Sequence, residues 1–433
     1  MVEKFFKAIG EQNLSPGREH WAVKICAQFE CSGDAESSLR HAWKAMRYDH
    51  PQLACTAQED TILYQVPDNS ALDQWLAKTF IVVDFEGDVD ALVELSKPSQ
   101  LPTLTYCPHT SRIVLCASHW RIDGMGSLAF LNNLFKAFGS SREIKFGDEY
   151  VNLSPALETI RNFPLTPSEE DIKAATNLIM QFGGNLPSIG LQTLSEDKIP
   201  GETCSSRLSL SKKTTNAVVM RCKESGFSVT AAVHTSLIAV TGQLAAESSL
   251  ATKYTSWGTF NVRHYLEPPY NRAASFPFAN YLFGLPISLV PDTFSRNVKD
   301  MNAFYKQLSV PGGLAKLSPV LKPYFDQATA MLSQPLPPGM PPPTEPMLDS
   351  LGVLDSRLDG EYETGVKMTG FWLHPVNLLP QLIVYLWTWR GSLTFSISYN
   401  KSFHSKSMVD LFASSLRDKL LEDLGLESTL GAS

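Results

Sequence analysis

The stretch Arg112 to Gly126, RIVLCASHWRIDGMG, contains the pattern that decides the fold. Its first seven residues form an almost continuous apolar run, which is typical of a strand buried on both faces in the middle of a sheet. A helix is predicted to follow, because five apolar residues recur at the spacing of one helical face: Leu128, Leu131, Leu134, Phe135 and Phe138. A buried strand followed by an amphipathic helix indicates an α/β protein.

Between this strand and this helix lies a motif with three fixed positions, His119-x-x-x-Asp123-Gly124. A histidine at the end of a buried strand is held stiffly, and its imidazole, with an unperturbed pKa near about 6.5, can accept a proton at neutral pH. Asp123 can orient the loop by pairing with a cation or with backbone N–H groups, while Gly124 lets the backbone approach a ligand. Such a string arises by chance in roughly one chain in thirty of this length. The string alone is therefore weak evidence, and its position between a buried strand and an amphipathic helix makes it stronger evidence.

The rest of the chain predicts two lobes. The residues from Gly183 to Pro200 are rich in glycine, proline and serine, which is typical of a crossing between two halves. We therefore predict an N-terminal lobe at 1–183, a crossover linker at 184–203 and a C-terminal lobe at 204–433. A chain of 433 residues is long enough for two cores.

Periodicity places further elements in both predicted lobes. The expected strands lie at 20–29, 61–65, 79–84, 205–210 and 252–262, and a helix should end before Pro51. Two helices are expected at 214–224 and 229–244, and a β-hairpin should pair 381–389 with 392–400 through a turn at Arg390-Gly391. The proline-rich stretch 334–346 predicts an extended surface loop.

Composition excludes several classes of function. The net charge of -7 disfavours a nucleic-acid binder, and no apolar run approaches the length needed to span a bilayer. The first ten residues, MVEKFFKAIG, are a poor signal peptide, and seven cysteines without a CxxC pair indicate reduced thiols. No GxGxxG, P-loop or HExxH motif is present, which disfavours nucleotide, phosphoryl and zinc-protease chemistry, and no G-x-S-x-G setting supports a hydrolase. We expect no metal and no permanently bound cofactor. We expect a cytoplasmic monomer without stable membrane insertion.

The chain resembles the chloramphenicol-acetyltransferase-like superfamily of HxxxD acyltransferases, which includes the plant BAHD enzymes, condensation domains and fungal trichothecene 15-O-acetyltransferases. Six segments match in order: Leu39 to Thr56, His119 to Gly124, Leu208 to Val233, Asn261 to Arg263 with Pro268-Pro269 and Asn280, Leu351 to Asp355, and Ser398 to Asn400. No DFGWG motif is found, which disfavours the plant branch and favours the fungal trichothecene type.

The resemblance implies two lobes, each a mixed sheet flanked by helices, with an active-site channel between them. It implies that His119 is the general base of an acyl-CoA-dependent O-acyltransferase, with acetyl-CoA as the expected co-substrate. The acceptor would be the hydroxyl of a hydrophobic secondary metabolite, such as a terpenoid or polyketide. Asp123 would pair with Arg263, Gly124 would leave space beside His119, and Ser398 and Asn400 are candidate donors to the oxyanion.

Two alternatives remain at this point. A condensation-like enzyme would take its acyl donor from a carrier protein instead of from coenzyme A. A cyclase or pericyclase on the same fold would use the pocket more than the base, although the intact His-x-x-x-Asp motif argues against it.

Overall fold

The computed structural model describes residues 3–7, 20–58, 61–164, 166–194, 199–245, 251–307, 313–332, 334 and 338–426. The strands are β1 (Glu3–Lys7), β2 (Ala22–Glu30), β3 (Thr56–Gln58), β4 (Thr61–Gln65), β5 (Phe80–Val82), β6 (Thr103–Cys107), β7 (Arg112–Ser118), β8 (Thr203–Ser209), β9 (Tyr254–Asn261), β10 (Leu282–Leu289), β11 (Met347–Val353), β12 (Lys367–Leu373), β13 (Ile383–Trp389) and β14 (Ser392–Asn400). The helices are α1 (Ala35–Asp49), α2 (Asn69–Thr79), α3 (Val89–Leu95), α4 (Gly124–Ala137), α5 (Leu157–Ile160), α6 (Glu169–Gly183), α7 (Lys212–Glu224), α8 (Val229–Gln243), α9 (Phe294–Lys306), α10 (Gly313–Leu332) and α11 (Lys406–Asp423).

The chain divides into two units, each assembled from three segments. Unit 1 comprises Met1–Phe163, Asn261–Leu282 and Asp355–Val376. Unit 2 comprises Pro164–Phe260, Phe283–Leu354 and Asn377–Ser433. Each unit contains a mixed sheet flanked by helices, which confirms the predicted fold class.

The path of the chain through the two units differs from the predicted split at 183 and 204. Unit 2 begins at Pro164, so the stretch 184–203 lies within it; its residues 195–198 are outside the described part of the chain. Two later segments belong to unit 1. One carries β12, which pairs antiparallel with β2, and the other carries Arg263. An apolar strand pattern does not show which sheet the strand joins, so this return was not predicted.

The main sheet of unit 1 has the order β12-β2-β7-β6-β5, with β7 in the middle. Only β5 and β6 run parallel among its pairs. Every residue of β7 after Arg112 is buried, as its apolar sequence predicted. Helix α1 packs against α4, and it ends at Asp49 just before Pro51, as expected. The indole rings of Trp43 and Trp75 stack with centroids 5.4 Å apart.

The main sheet of unit 2 has the order β11-β13-β14-β8, in which β11 and β13 are parallel. The predicted hairpin of β13 and β14 is confirmed, with Trp389 paired to Ser392. Arg390 and Gly391 have φ of 51° and 76°, the left-handed pair that a two-residue turn requires. Helix α8 is buried on nearly all sides and packs against α11 and β11.

The proline-rich loop departs from the prediction of a surface segment. Residues 335–337 lie outside the described residues, and Pro338 and Gly339 are exposed. The loop then turns inward, so that Glu345 is 0% exposed just before β11. A run of prolines disfavours helix and sheet but does not require exposure, which is why the predicted surface position is wrong at this end of the loop. Within the described ranges, no helix is long and apolar enough to cross a membrane.

Candidate active site

His119 directly follows Ser118, the last residue of the buried central strand β7 of the unit 1 sheet. Its backbone N–H donates to the carbonyl oxygen of Trp21 at 2.6 Å, which continues the pairing of β7 with β2 by one residue. The residue is partly exposed, and in the described part of the chain its imidazole ring makes no hydrogen bond. The strand therefore fixes the backbone of His119 and leaves both ring nitrogens available.

Asp123 caps the N-terminus of α4 and is completely buried. Its Oδ1 accepts a hydrogen bond from the Gly126 N–H at 2.7 Å. Its Oδ2 accepts from Arg263 Nη1 at 2.7 Å and from the Tyr281 N–H at 2.9 Å. Three donors, one of them charged, hold the carboxylate and fix the turn between His119 and α4.

Arg263 is 2% exposed, and its guanidinium donates hydrogen bonds to groups near Asp123 as well as to Asp123 itself. Nη2 donates to the Ala279 carbonyl at 3.0 Å, and Nη1 also donates to Asn261 Oδ1 at 3.3 Å. The guanidinium lies 5.0 Å from the ring centre of Tyr281. The structure thus brings together Asp123 and Arg263, which are 140 residues apart in sequence. Removing either partner would strand a buried charge.

Glycine is required in this turn by the close approach of a second segment. A Cβ atom on Gly126 would lie 2.0 Å from the carbonyl oxygen of Pro277. Gly124, the glycine expected to leave space beside His119, is the first residue of α4. The close contact falls on Gly126, two residues after the motif, and only the position of Pro277 reveals it.

Arg121 is a supporting residue that sequence reasoning missed. It is 2% exposed, with Nε donating to Ser118 Oγ at 3.0 Å. Nη1 donates to the Gln52 carbonyl at 2.9 Å, and Nη2 to the Gln100 carbonyl at 2.7 Å. The variable positions of the motif gave no signal, because an arginine in a turn is usually exposed.

Asn280 lies against the backbone of His119. Its Nδ2 donates to the His119 carbonyl oxygen at 3.4 Å, and its side chain is buried, with 7% of the residue exposed. The resemblance included this residue only as part of a trailing loop.

The two candidate oxyanion donors lie at the end of β14 in unit 2, and both are buried. Asn400 Nδ2 donates to the carbonyls of Gly201 and Asn377 at 2.9 and 3.0 Å, and its Oδ1 accepts from the N–H groups of Gly201 and Ser402. Both N–H groups of its amide are therefore used inside unit 2, so the expectation that Asn400 donates to the oxyanion is wrong. The Ser398 carbonyl accepts from Asn377 Nδ2 at 3.2 Å, which leaves its candidate role untested.

Two other histidines are poor bases. Burial lowers the pKa of His50 and of His234 to about 3, because their charged forms would lose hydration. Both rings are also engaged, His50 Nε2 with Asn133 Nδ2 at 3.0 Å and His234 with two tyrosine hydroxyls. No group of three or more His, Cys, Asp or Glu side chains among the described residues is placed to hold a metal ion.

Two fungal acetyltransferases are related to this chain over nearly its whole length. It is 30% identical over 443 residues to Acetyltransferase pigO of Monascus ruber, covering 98% of this chain and 95% of that protein. It is also 30% identical over 441 residues to O-acetyltransferase pigM of Monascus ruber, covering 98% and 85%. No protein-family model matches the chain.

The fold is shared with solved structures at lower identity. TRI3 trichothecene 15-O-acetyltransferase from Fusarium sporotrichioides aligns with a TM-score of 0.81 at 17% identity, covering 97% of this chain and 96% of that one. The epimerization domain of tyrocidine synthetase B aligns with a TM-score of 0.65 at 15% identity, covering 98% and 97%.

These findings define the protein as an enzyme of the O-acyltransferase class on a chloramphenicol-acetyltransferase-like fold. Within that class, the chain belongs to the family of fungal acetyltransferases that contains PigO and PigM.

Proposed function

We propose that this enzyme transfers an acetyl group from acetyl-CoA to a hydroxyl of a hydrophobic secondary metabolite, such as a polyketide or terpenoid. The names of the relatives support acetyl transfer. One observation supports the mechanism: the ring of His119 is unbonded in the described residues, while the turn that carries it is anchored through Asp123 and Arg263. A monomeric enzyme in the cytoplasm and an active-site channel remain predictions.

His119 acts as the general base in this proposal. Nε2 takes the proton of the acceptor hydroxyl as the hydroxyl oxygen attacks the thioester carbonyl carbon. The tetrahedral adduct collapses, the carbon–sulfur bond breaks, and the same nitrogen returns the proton to the departing thiolate. The products are an acetate ester and free coenzyme A, and no acyl-enzyme forms. General base catalysis of this kind contributes about 10²–10⁴ in rate.

Asp123 is a positioning group in this scheme and takes no proton. Its carboxylate is buried and already accepts three hydrogen bonds, so no free face remains for substrate. The carboxylate instead holds the turn from which His119 projects. Ser398 is retained as the candidate donor to the developing oxyanion.

The test is acetyl transfer to a panel of polyketide and terpenoid alcohols, with thiol release and product mass measured together. We expect equal amounts of free thiol and acetylated product with acetyl-CoA. The intact protein, incubated with acetyl-CoA alone, should keep its mass, because direct attack leaves no acyl group on the chain. An acetylated protein that transfers its group to the alcohol would overturn the direct mechanism. Transfer from an acyl carrier protein but not from acetyl-CoA would overturn the donor assignment.

A further inference from the structure

The segment Pro277 to Tyr281 is clamped onto the His119 turn at several points. The Pro277 carbonyl lies against Gly126, where it leaves no space for a Cβ atom. The Ala279 carbonyl accepts from Arg263, and the Tyr281 N–H donates to Asp123. Asn280 lies between these anchor points, so its side chain is held against the turn by contacts that do not depend on the asparagine amide.

The nitrogen and the oxygen of the Asn280 amide differ in hydrogen bonding. Nδ2 donates to the His119 carbonyl oxygen at 3.4 Å. Oδ1 is buried, and no donor bonds it among the described residues. A buried acceptor without a partner destabilises the folded state, whereas an apolar side chain of similar size would avoid that loss. Stability alone therefore does not account for an asparagine at this position.

The backbone of His119 depends on few contacts. Its N–H is held by the Trp21 carbonyl at 2.6 Å and its carbonyl oxygen by Asn280 Nδ2, while its ring makes no hydrogen bond in the part of the chain that is described. The orientation of the imidazole thus follows from the orientation of the peptide groups on either side of it. A long bond of 3.4 Å is also easily lost if the turn shifts.

We propose that Asn280 is a positioning residue for His119, which fixes the carbonyl group of the base and thereby the direction of its imidazole. This inference rests on the proposed role of His119 as general base. The asparagine keeps one buried oxygen unpaired because its amide hydrogen is needed at the His119 carbonyl. A base displaced by a fraction of an ångström loses its alignment with the acceptor hydroxyl, which reduces turnover far more than binding.

The first test replaces the amide with an apolar group of similar volume, Asn280→Leu. We expect kcat to fall by about 10-fold to 100-fold while KM for acetyl-CoA stays near the wild-type value. We expect Tm to stay equal or to rise, because the unpaired oxygen is gone. A residue with a merely structural role would show the reverse, a lower Tm at unchanged kcat.

Asn132→Leu is the matched control in the same unit. Asn132 Oδ1 accepts from the Asp359 N–H at 3.1 Å and from the Tyr362 hydroxyl at 2.7 Å, and its Nδ2 donates to the Arg357 carbonyl. Because both ends of this amide are satisfied, its loss should lower Tm and leave kcat unchanged.

A second variant, Asn280→Asp, tests proximity to the base. A carboxylate beside His119 should raise the imidazole pKa, so the acidic limb of the kcat/KM profile should move to higher pH. Wild-type kcat in Asn280→Leu together with an unmoved pH profile in Asn280→Asp would overturn the inference. It would also be overturned if Asn280→Leu lost kcat in step with Tm, or if this variant did not fold. His119→Ala, assayed alongside, separates the two hypotheses: if it retains wild-type turnover, the proposed function itself is wrong.

Discussion

Two buried carboxylates, Asp123 in unit 1 and Glu345 in unit 2, are both 0% exposed but have opposite surroundings. Asp123 accepts three hydrogen bonds, one from the charged Arg263. Glu345 Oε1 accepts one hydrogen bond from Gln381 Nε2 at 2.6 Å, and its Oε2 has no partner in the described residues. Burial raises the pKa of Glu345 to about 8. The carboxylate that fixes a turn, Asp123, therefore has a charged partner, whereas Glu345 has only an amide partner and is protonated up to a higher pH.

A similar contrast separates two histidines, His119 in unit 1 and His234 in unit 2. His119 is partly exposed and its ring is unbonded in the described residues, whereas both ring nitrogens of His234 are engaged. The Tyr254 hydroxyl donates to the Pro346 carbonyl at 2.6 Å, so it must accept from His234 Nε2–H. Nδ1 of His234 then accepts from the Tyr305 hydroxyl at 2.7 Å. A base needs a free nitrogen, and the fully bonded histidine is the structural one.

The largest expected effect concerns Asp123→Asn. This change keeps the shape of the side chain but strands the buried charge of Arg263, so we expect the free energy of unfolding to fall by about 3–5 kcal/mol. Activity should fall together with stability, because the same turn carries His119. Denaturant unfolding, with kcat corrected for the folded fraction, measures both; an unchanged unfolding free energy would refute the role of the pair.

A double-mutant cycle sharpens this result. Asp123→Asn combined with Arg263→Met removes both charges. The double variant should therefore lose less unfolding free energy than the two single variants together, by at least about 1 kcal/mol. Strict additivity of the two losses would mean that Arg263 is not the partner that matters.

Glu345→Gln should act in the opposite direction. The folded-state pKa of about 8 lies above the ordinary value of 4.5, so the unfolded chain releases the proton first as pH rises. Wild-type stability should therefore decline between these two pH values, and the amide variant should not show that decline. Near pH 8 we expect the variant to be more stable by about 2 kcal/mol or more.

The control for this prediction is Glu143→Gln, whose side chain is 76% exposed. Measured by thermal unfolding, the Tm of Glu143→Gln should follow that of the wild type in parallel across the pH range. A Glu345→Gln profile that is also parallel to wild type would show that the buried acid is not protonated in the folded protein.

The smallest expected effect is that of His234→Phe. The ring volume is nearly kept, while the Tyr305 hydroxyl loses one acceptor and the Tyr254 hydroxyl loses one donor, so we expect a loss of about 1–3 kcal/mol in unfolding free energy. The kcat of the folded enzyme should stay at the wild-type value. A selective loss of kcat at unchanged Tm would assign His234 a part in catalysis.

Much of the fold could be predicted from local sequence. The bounds of β7 follow from a continuous apolar run, and the hairpin of β13 and β14 follows from two strand patterns joined by Arg390-Gly391. The return of β12 to the sheet of unit 1 could not be predicted, because no local pattern identifies a strand's partner.

The candidate site was predictable in proportion to its dependence on the motif. His119 and Asp123 are visible in the sequence, and Arg263 came from the family resemblance. Gly126, Arg121 and Asn280 act through contacts with segments distant in sequence, such as Pro277 and Gln52. Asn400 looked like a free donor only because its four hydrogen bonds cannot be seen in a sequence.

The general-base role of His119 is tested most directly by the turnover number of His119→Ala, measured with acetyl-CoA and an accepted alcohol. We expect kcat to fall by a factor of at least about 10². Tm and binding of coenzyme A should stay unchanged, since the ring makes no hydrogen bond among the described residues. Turnover near the wild-type rate in a folded His119→Ala protein would show that His119 is not the general base.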